Sequence, residues 1–205
     1  MIDIIREIEA IRREVRREGD GDSETVTVVL RRTYPSDAND VWDAITTPER
    51  IQRWFAPVTG DLVEGGNFQI EGNASGQILK CDRPHVLRMT YGDPTSIVEL
   101  RLVPDSDATT LEVEHTVPIG MARSGAGALW VGPGWDGGLL ALGLYLRGKG
   151  PDDPVAAENS PERQRFSARS AHAWAETITA SGTATADEVA EGLEVSLKQF
   201  APDVD

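Results

Sequence analysis

The sequence is poor in the side chains that build covalent and metal-bound sites. Cys81 is the only cysteine among 205 residues, so no disulfide can form within the chain. The three histidines, at 85, 115 and 172, are too scattered to match the ligand spacing of a metal site. We therefore expect no metal and no cofactor, and a reducing compartment such as the cytoplasm.

Positive charge is also scarce. Lys and Arg number 20 against 34 Asp and Glu, which gives a formal net charge of −14. Such a chain repels phosphate backbones and anionic lipid surfaces, so nucleic acid is excluded as a predicted partner. No apolar run approaches the roughly 18 residues of a membrane span, and the N-terminus shows no secretory leader pattern. We expect neither membrane insertion nor secretion.

The remaining composition is that of one globular domain with short additions. Hydrophobic residues make up 40% of the chain and charged residues 26%. The predicted organisation is an N-terminal amphipathic helix in residues 1–23, a central domain in 24–150 and an acidic helical extension in 151–205. From Asp152 onward the chain has 11 Asp and Glu and only 4 Lys and Arg, an acidic excess that is expected for a solvated appendage.

Hydrophobic spacing predicts an α+β fold. Isoleucines and Val15 recur every three or four residues through 2–17, which favours a helix. The β-branched run Thr25–Tyr34 predicts a first strand, and two small helices follow it on either side of Pro48. Five alternating runs up to Pro118, with turn residues between them, predict an antiparallel meander. With strand one and a short strand at 58–63, this makes about seven strands.

Helices dominate the rest of the chain. The glycine-rich residues 120–134 predict a flexible flap, followed by a long helix over 135–146. Gly137, Gly138 and Gly143 are costly in a helix, so we expect them to let it lie close to the sheet. Ser160 before Pro161 and the capping-box spacing of Thr185 and Glu188 predict two further helices.

Residues 41–55, VWDAITTPERIQRWF, carry a family resemblance, together with Gly60-Asp61-Leu62, 65–68 and 132–136. They resemble the signature of the Aha1-like branch of the START/Bet v 1-like superfamily, over about residues 25–147. The resemblance implies a helix-grip fold: a curved antiparallel sheet around a long C-terminal helix, with an apolar ligand cavity between them. Eukaryotic Aha1 proteins carry a separate preceding domain that activates the Hsp90 ATPase, and this chain has only a short helix there.

Because side chains alternate between the two faces of a strand, the sequence predicts that one polar side chain points into the cavity. His115 alternates with Leu111, Val113 and Val117, so it should point inward with them. A neutral imidazole there can orient a ligand hydroxyl or carbonyl, or act as a general base, and it can equally be a satisfied core histidine. Tyr91 carries the same ambiguity. The predicted lining is Trp54, Phe55, Phe68, Met89, Tyr91, His115, Trp135 and Leu139, of which the aromatic residues also suit a plain core.

Three functions remain open from the sequence. The leading hypothesis is non-catalytic binding of a small hydrophobic ligand, because no catalytic triad, Cys-His pair or carboxylate pair is recognisable. A proton-transfer enzyme that uses His115, such as a cyclase, dehydratase or hydrolase, is the first alternative, so catalysis stays undecided. A protein-interaction or co-chaperone-like module is the second, and a homodimer is a candidate assembly.

Overall fold

The computed structural model describes residues 2–204, without the side chain of Asp22. It contains eight helices and eight strands within those residues, in an α+β arrangement. In chain order they are α1 (Ile4–Glu9), β1 (Arg12–Glu18), β2 (Thr25–Tyr34), α2 (Ala38–Thr46), α3 (Pro48–Ile51), β3 (Val58–Gly60), β4 (Asn67–Ile70), β5 (Ser75–Asp82), β6 (Val86–Tyr91), β7 (Asp93–Asp105), β8 (Ala108–Pro118), α4 (Ile119–Ala122), α5 (Gly132–Leu146), α6 (Pro154–Glu158), α7 (Pro161–Ser181) and α8 (Ala186–Phe200).

All eight strands form one antiparallel sheet in the order β1-β2-β8-β7-β6-β5-β4-β3. Strands β3 to β7 make a meander of neighbouring hairpins, with Met89 of β6 opposite Ile78 on one side and Val98 on the other. The first predicted strand, the two small helices, the meander, the long helix and the helical C-terminal extension are all confirmed. The strand count is eight rather than about seven, because β1 was not foreseen.

The predicted helix over residues 2–17 is wrong beyond Glu9. Strand β1 begins at Arg12, and the buried side of this segment carries Ile11 just before the strand and Arg13 and Val15 within it. A spacing of four residues satisfies a helix, but it is also two strand periods, so Ile11 and Val15 suit either structure. Arg13 lies between them and is buried through an ion pair, which a hydrophobic pattern cannot reveal.

The described residues group into two compact units. The first comprises Met1–Leu30, Thr116–Leu139 and Ala156–Asp205, and the second comprises Arg31–His115 and Leu140–Val155. Within these ranges, no helix combines the length and apolar character needed to cross a membrane.

The first unit is built around helix α7. Its side chains Phe166, Trp174 and Ile178 are completely buried. Ser160 caps the helix start and Gly182, at φ +67°, ends it in the left-handed conformation. The predicted capping box of α8 is present. The acidic extension therefore supplies core rather than a solvated appendage: its acidic residues lie on the outside of helices whose other face is apolar.

The glycine-rich segment before α5 is packed, not a flap. Residues Gly125–Trp130 form a 3-10 helix that is buried through Leu129. The Gly125 amide donates to the Thr183 carbonyl, and the Ser196 hydroxyl donates to the Leu129 carbonyl. A Cβ on Gly125 would lie 1.9 Å from Thr183 Oγ1. These glycines therefore serve close approach rather than flexibility.

The glycines of α5 differ in what surrounds them. In the second unit, a Cβ on Gly143 would lie 3.1 Å from Arg32 Nη2 and 3.2 Å from Tyr34 Cε1, so this glycine does admit a close approach to β2. In the first unit, a Cβ on Gly138 would meet nothing within 4 Å. Close packing therefore accounts for Gly143 and does not account for Gly138.

Gly138→Ala is expected to raise the free energy of unfolding by about 1 kcal/mol, since alanine restricts the unfolded chain and favours helix. Gly143→Ala is expected to bring no such gain, because its methyl group would press on Arg32 and Tyr34. Urea unfolding of both variants measures the difference. Equal gains would contradict the close approach at Gly143.

Candidate functional site

The inward face of the sheet in the second unit carries one buried imidazole. Strand β8 alternates regularly, with Thr109, Leu111, Val113 and His115 buried. His115 is 7% exposed, so the sequence-based prediction that it points inward with its apolar neighbours is confirmed.

A serine from the adjacent strand contacts that imidazole. Ser96 of β7 is 3% exposed, and its Oγ lies 2.8 Å from His115 Nε2. The tautomer decides which of the two atoms donates. Ser96 was missed from the sequence, although it lies two residues before Val98 and so shares the inward face of β7. The alternation that identified His115 was enough to find it.

Burial holds this imidazole neutral. It lowers the pKa of His115 to about 4, because the charged form loses its hydration. At neutral pH the side chain therefore has one N–H donor and one lone-pair acceptor.

Two further aromatic rings continue from His115 across the sheet. The ring of Tyr91 lies 6.1 Å from the imidazole, edge to face, and the ring of Phe68 lies 6.4 Å from Tyr91. Beneath Phe68 is Gly76, where a Cβ would lie 2.9 Å from Phe68 Cε1 and 1.9 Å from the Thr90 carbonyl oxygen. The absence of a side chain at position 76 thus lets Phe68 lie against β5. We call Phe68, Tyr91, Ser96 and His115 the imidazole face.

Tyr91 stands at the edge of this face. It is half-buried, and its hydroxyl donates to Asn73 Oδ1 at 2.5 Å. Three of the eight predicted lining residues, Phe68, Tyr91 and His115, therefore come together here. Met89 of β6 is buried as well.

The remaining predicted residues are Trp54, Phe55, Trp135 and Leu139. Trp54 and Phe55 follow α3 and stack on one another with ring centres 5.6 Å apart, and the Trp54 indole donates to the Ala44 carbonyl. Trp135 and Leu139 belong to the first unit, where Leu139 is buried and Trp135 half-buried. Their role as ligand contacts stays a prediction.

Two buried charged side chains are additional to the predicted lining. Arg32 of β2 is 3% exposed, with its guanidinium carbon 5.5 Å from the centre of the Tyr34 ring. Asp136, near the start of α5, is completely buried in the first unit. Its Oδ2 accepts from Arg13 Nε at 2.8 Å, from Trp174 Nε1 at 3.2 Å and from the Ser170 hydroxyl.

Comparison with known proteins agrees with the fold. The model of the family described as Activator of Hsp90 ATPase homolog 1-like protein matches residues 35–143, more than half of the chain. None of the curated proteins compared with the chain matches it.

Solved structures provide further relatives. The crystal structure of CalU16 from Micromonospora echinospora is 38% identical, covers 82% of this chain and 98% of its own, and superposes with a TM-score of 0.69. MLL2253 from Mesorhizobium loti is 23% identical over 61% of this chain and 99% of its own, with a TM-score of 0.51. EF2215 from Enterococcus faecalis is 14% identical over 82% and 91%, with a TM-score of 0.57. Since the family model matches and CalU16 is similar over nearly all of its length, the chain belongs to the Activator of Hsp90 ATPase homolog 1-like protein family.

Proposed function

We propose that the protein binds a small, uncharged, largely apolar molecule at the imidazole face, without transforming it. One observation carries the proposal: a buried, neutral imidazole and its serine partner lie among mainly apolar and aromatic side chains of the sheet. Small-molecule sites in proteins characteristically combine an apolar lining with a few convergent polar groups.

The polar groups of the face can hold a ligand without losing their own contact. The Ser96 hydroxyl can donate one hydrogen bond and accept two. Its bond with His115 Nε2 uses only one of these three positions, so the hydroxyl can also bind a ligand group. A ligand hydroxyl or carbonyl can therefore join the pair formed by Ser96 and His115. The alternative of burying such a group with no partner would cost roughly 1 to 3 kcal/mol.

The charge state of the face selects the class of ligand. An imidazole with a pKa of about 4 carries no charge at pH 7 and offers nothing to balance a carboxylate. A buried ligand anion would thus remain uncompensated at His115. The face consequently favours alcohols, phenols and ketones over the corresponding acids.

The same pKa argues against the enzyme alternative. A general base works best when its pKa lies near the operating pH, and that of His115 lies far below it. The protein-interaction alternative stays a prediction. A pull-down with the full-length chain, in which residues 152–205 keep their place in the core of the first unit, would test it.

The binding proposal is tested with 1-naphthol as the probe and isothermal titration calorimetry as the measurement. The full-length protein is expected to bind 1-naphthol more tightly than 1-naphthoate at pH 7. His115→Phe keeps an aromatic ring but removes both ring nitrogens, so the dissociation constant for 1-naphthol should rise about tenfold, the equivalent of one hydrogen bond.

The matched control is His172→Gln, which changes an exposed imidazole on α7 and should leave the affinity unchanged. A panel of aromatic alcohols, fatty alcohols and sterols, screened by thermal shift, covers other ligand shapes. The proposal is overturned if no member of the panel binds, or if His115→Phe binds every member as tightly as the natural sequence does.

A further inference from the structure

Only one of the two carboxylate oxygens of Asp136 accepts hydrogen bonds from the described residues. Its Oδ2 accepts three hydrogen bonds, from Arg13, Ser170 and Trp174. Its Oδ1 is fully buried and has no hydrogen-bond partner among the described residues. A buried carboxylate oxygen left in this condition costs more than the usual 1 to 3 kcal/mol of an unsatisfied neutral group.

The guanidinium of Arg13 also has one nitrogen without a hydrogen-bond partner among the described residues. Its Nε donates to Asp136, and its Nη1 donates to the carbonyl oxygens of Ile8 and Ile11. Its Nη2 is buried and, within the part of the chain that the structure describes, has no hydrogen-bond partner either. In the ion pair that joins β1 to α5, one donor atom, Arg13 Nη2, and one acceptor atom, Asp136 Oδ1, therefore lack a hydrogen-bond partner among the described residues.

The geometry points to an internal water molecule held at this ion pair, which accepts a hydrogen bond from Arg13 Nη2 and donates one to Asp136 Oδ1. The two leftover atoms belong to one salt bridge, so they lie on neighbouring side chains. Water is the species that suits both, since it donates and accepts and is small enough for a place where Asp136 has no exposed surface.

The assignment does not depend on the charge of Asp136. Burial raises the pKa of this carboxyl, and the Arg13 guanidinium acts in the opposite direction. An ionised Oδ1 requires a donor and a protonated Oδ1 requires an acceptor, and a water molecule supplies either.

The water has a structural task in the first unit. It completes the bonding of the ion pair between Arg13 of β1 and Asp136 of α5, alongside the indole of Trp174. We expect it to exchange slowly with solvent, because escape requires β1 or α7 to move away from Asp136.

Nuclear magnetic resonance of the full-length protein tests the assignment in solution. The Trp174 indole proton points at Asp136 and should show a direct cross-relaxation peak to water of the sign that marks a long-lived bound molecule. The peak is identified by its loss in Trp174→Phe. Ser170→Ala removes a donor to Oδ2 but leaves Oδ1 and Arg13 in place, so the peak should persist in that variant.

Arg13→Gln removes Nη2 and should abolish the peak. If that variant does not fold, the natural sequence still decides the matter by crystallography: density for one water is expected within hydrogen-bond distance of both Arg13 Nη2 and Asp136 Oδ1. The assignment is overturned if the indole shows no water peak, or if a crystal structure shows Arg13 bonded directly to both carboxylate oxygens with no water between them.

Discussion

Asp136→Leu is expected to lower the free energy of unfolding by about 3 to 5 kcal/mol. Asp136 has no exposed surface, and the side chain of Arg13 is only 7% exposed. Removal of the carboxylate leaves the Arg13 guanidinium buried without its counter-charge. The hydroxyl of Ser170 and the indole N–H of Trp174 also lose the acceptor of their hydrogen bonds. Equilibrium urea unfolding, followed by circular dichroism, measures the loss.

The double variant Arg13→Met with Asp136→Leu separates charge from packing. Replacing both partners by apolar side chains removes the uncompensated charge, so much of the lost stability should return. Lys198→Ala is the control, since it breaks an ion pair with Glu194 in which both side chains are largely exposed. No recovery in the double variant would show that the two residues contribute independently.

The stability of the protein is expected to fall by roughly 3 kcal/mol, through His115 alone, as the pH drops from about 6.5 to about 4. The folded protein holds the pKa of this imidazole at about 4, against an ordinary value of 6.5 for an unfolded chain. The unfolded state therefore takes up the proton first, and each pKa unit of difference corresponds to about 1.4 kcal/mol. The stabilisation is complete above pH 6.5 and is lost progressively below it.

His115→Gln should remove this part of the pH dependence, because glutamine does not titrate. Urea midpoints measured between pH 4 and pH 7, for the natural sequence and for the variant, should converge as the pH falls. His172→Gln, at an exposed position of α7, is the control for replacing a histidine by glutamine. Parallel curves for the natural sequence and His115→Gln would mean that the buried ring titrates as it does in the unfolded chain.

Local signals in the sequence predicted most of the fold. The β-branched run Thr25–Tyr34 coincides with β2 residue for residue, and Ser160 and Thr185 cap α7 and α8 as expected. Such features depend on neighbours in the chain, which a sequence displays directly. These local signals also gave the order of the elements, and the family resemblance added the helix-grip arrangement.

Local sequence signals did not predict contacts between residues that are far apart in the chain. Arg13 and Asp136 are 123 residues apart, so nothing near Arg13 indicates that it points into the core of a strand. The glycines at 125 and 127 suggested flexibility, whereas close contacts with Thr183 and Ala122 explain them. Within the candidate site, period-two alternation found His115. It did not show that the rings of Trp54 and Phe55 stack on one another, and their role as ligand contacts stays a prediction.

The two outer strands of the sheet have a consequence for how the protein behaves when concentrated. One border is β1, with the sequence RREVRRE, and the other is β3, with three residues. An unpaired strand invites backbone from another molecule when it is long, flat and apolar. Charged side chains of both signs fill most of the first border, and the second offers only a few amides and carbonyls, so both disfavour amyloid-type stacking of folded molecules.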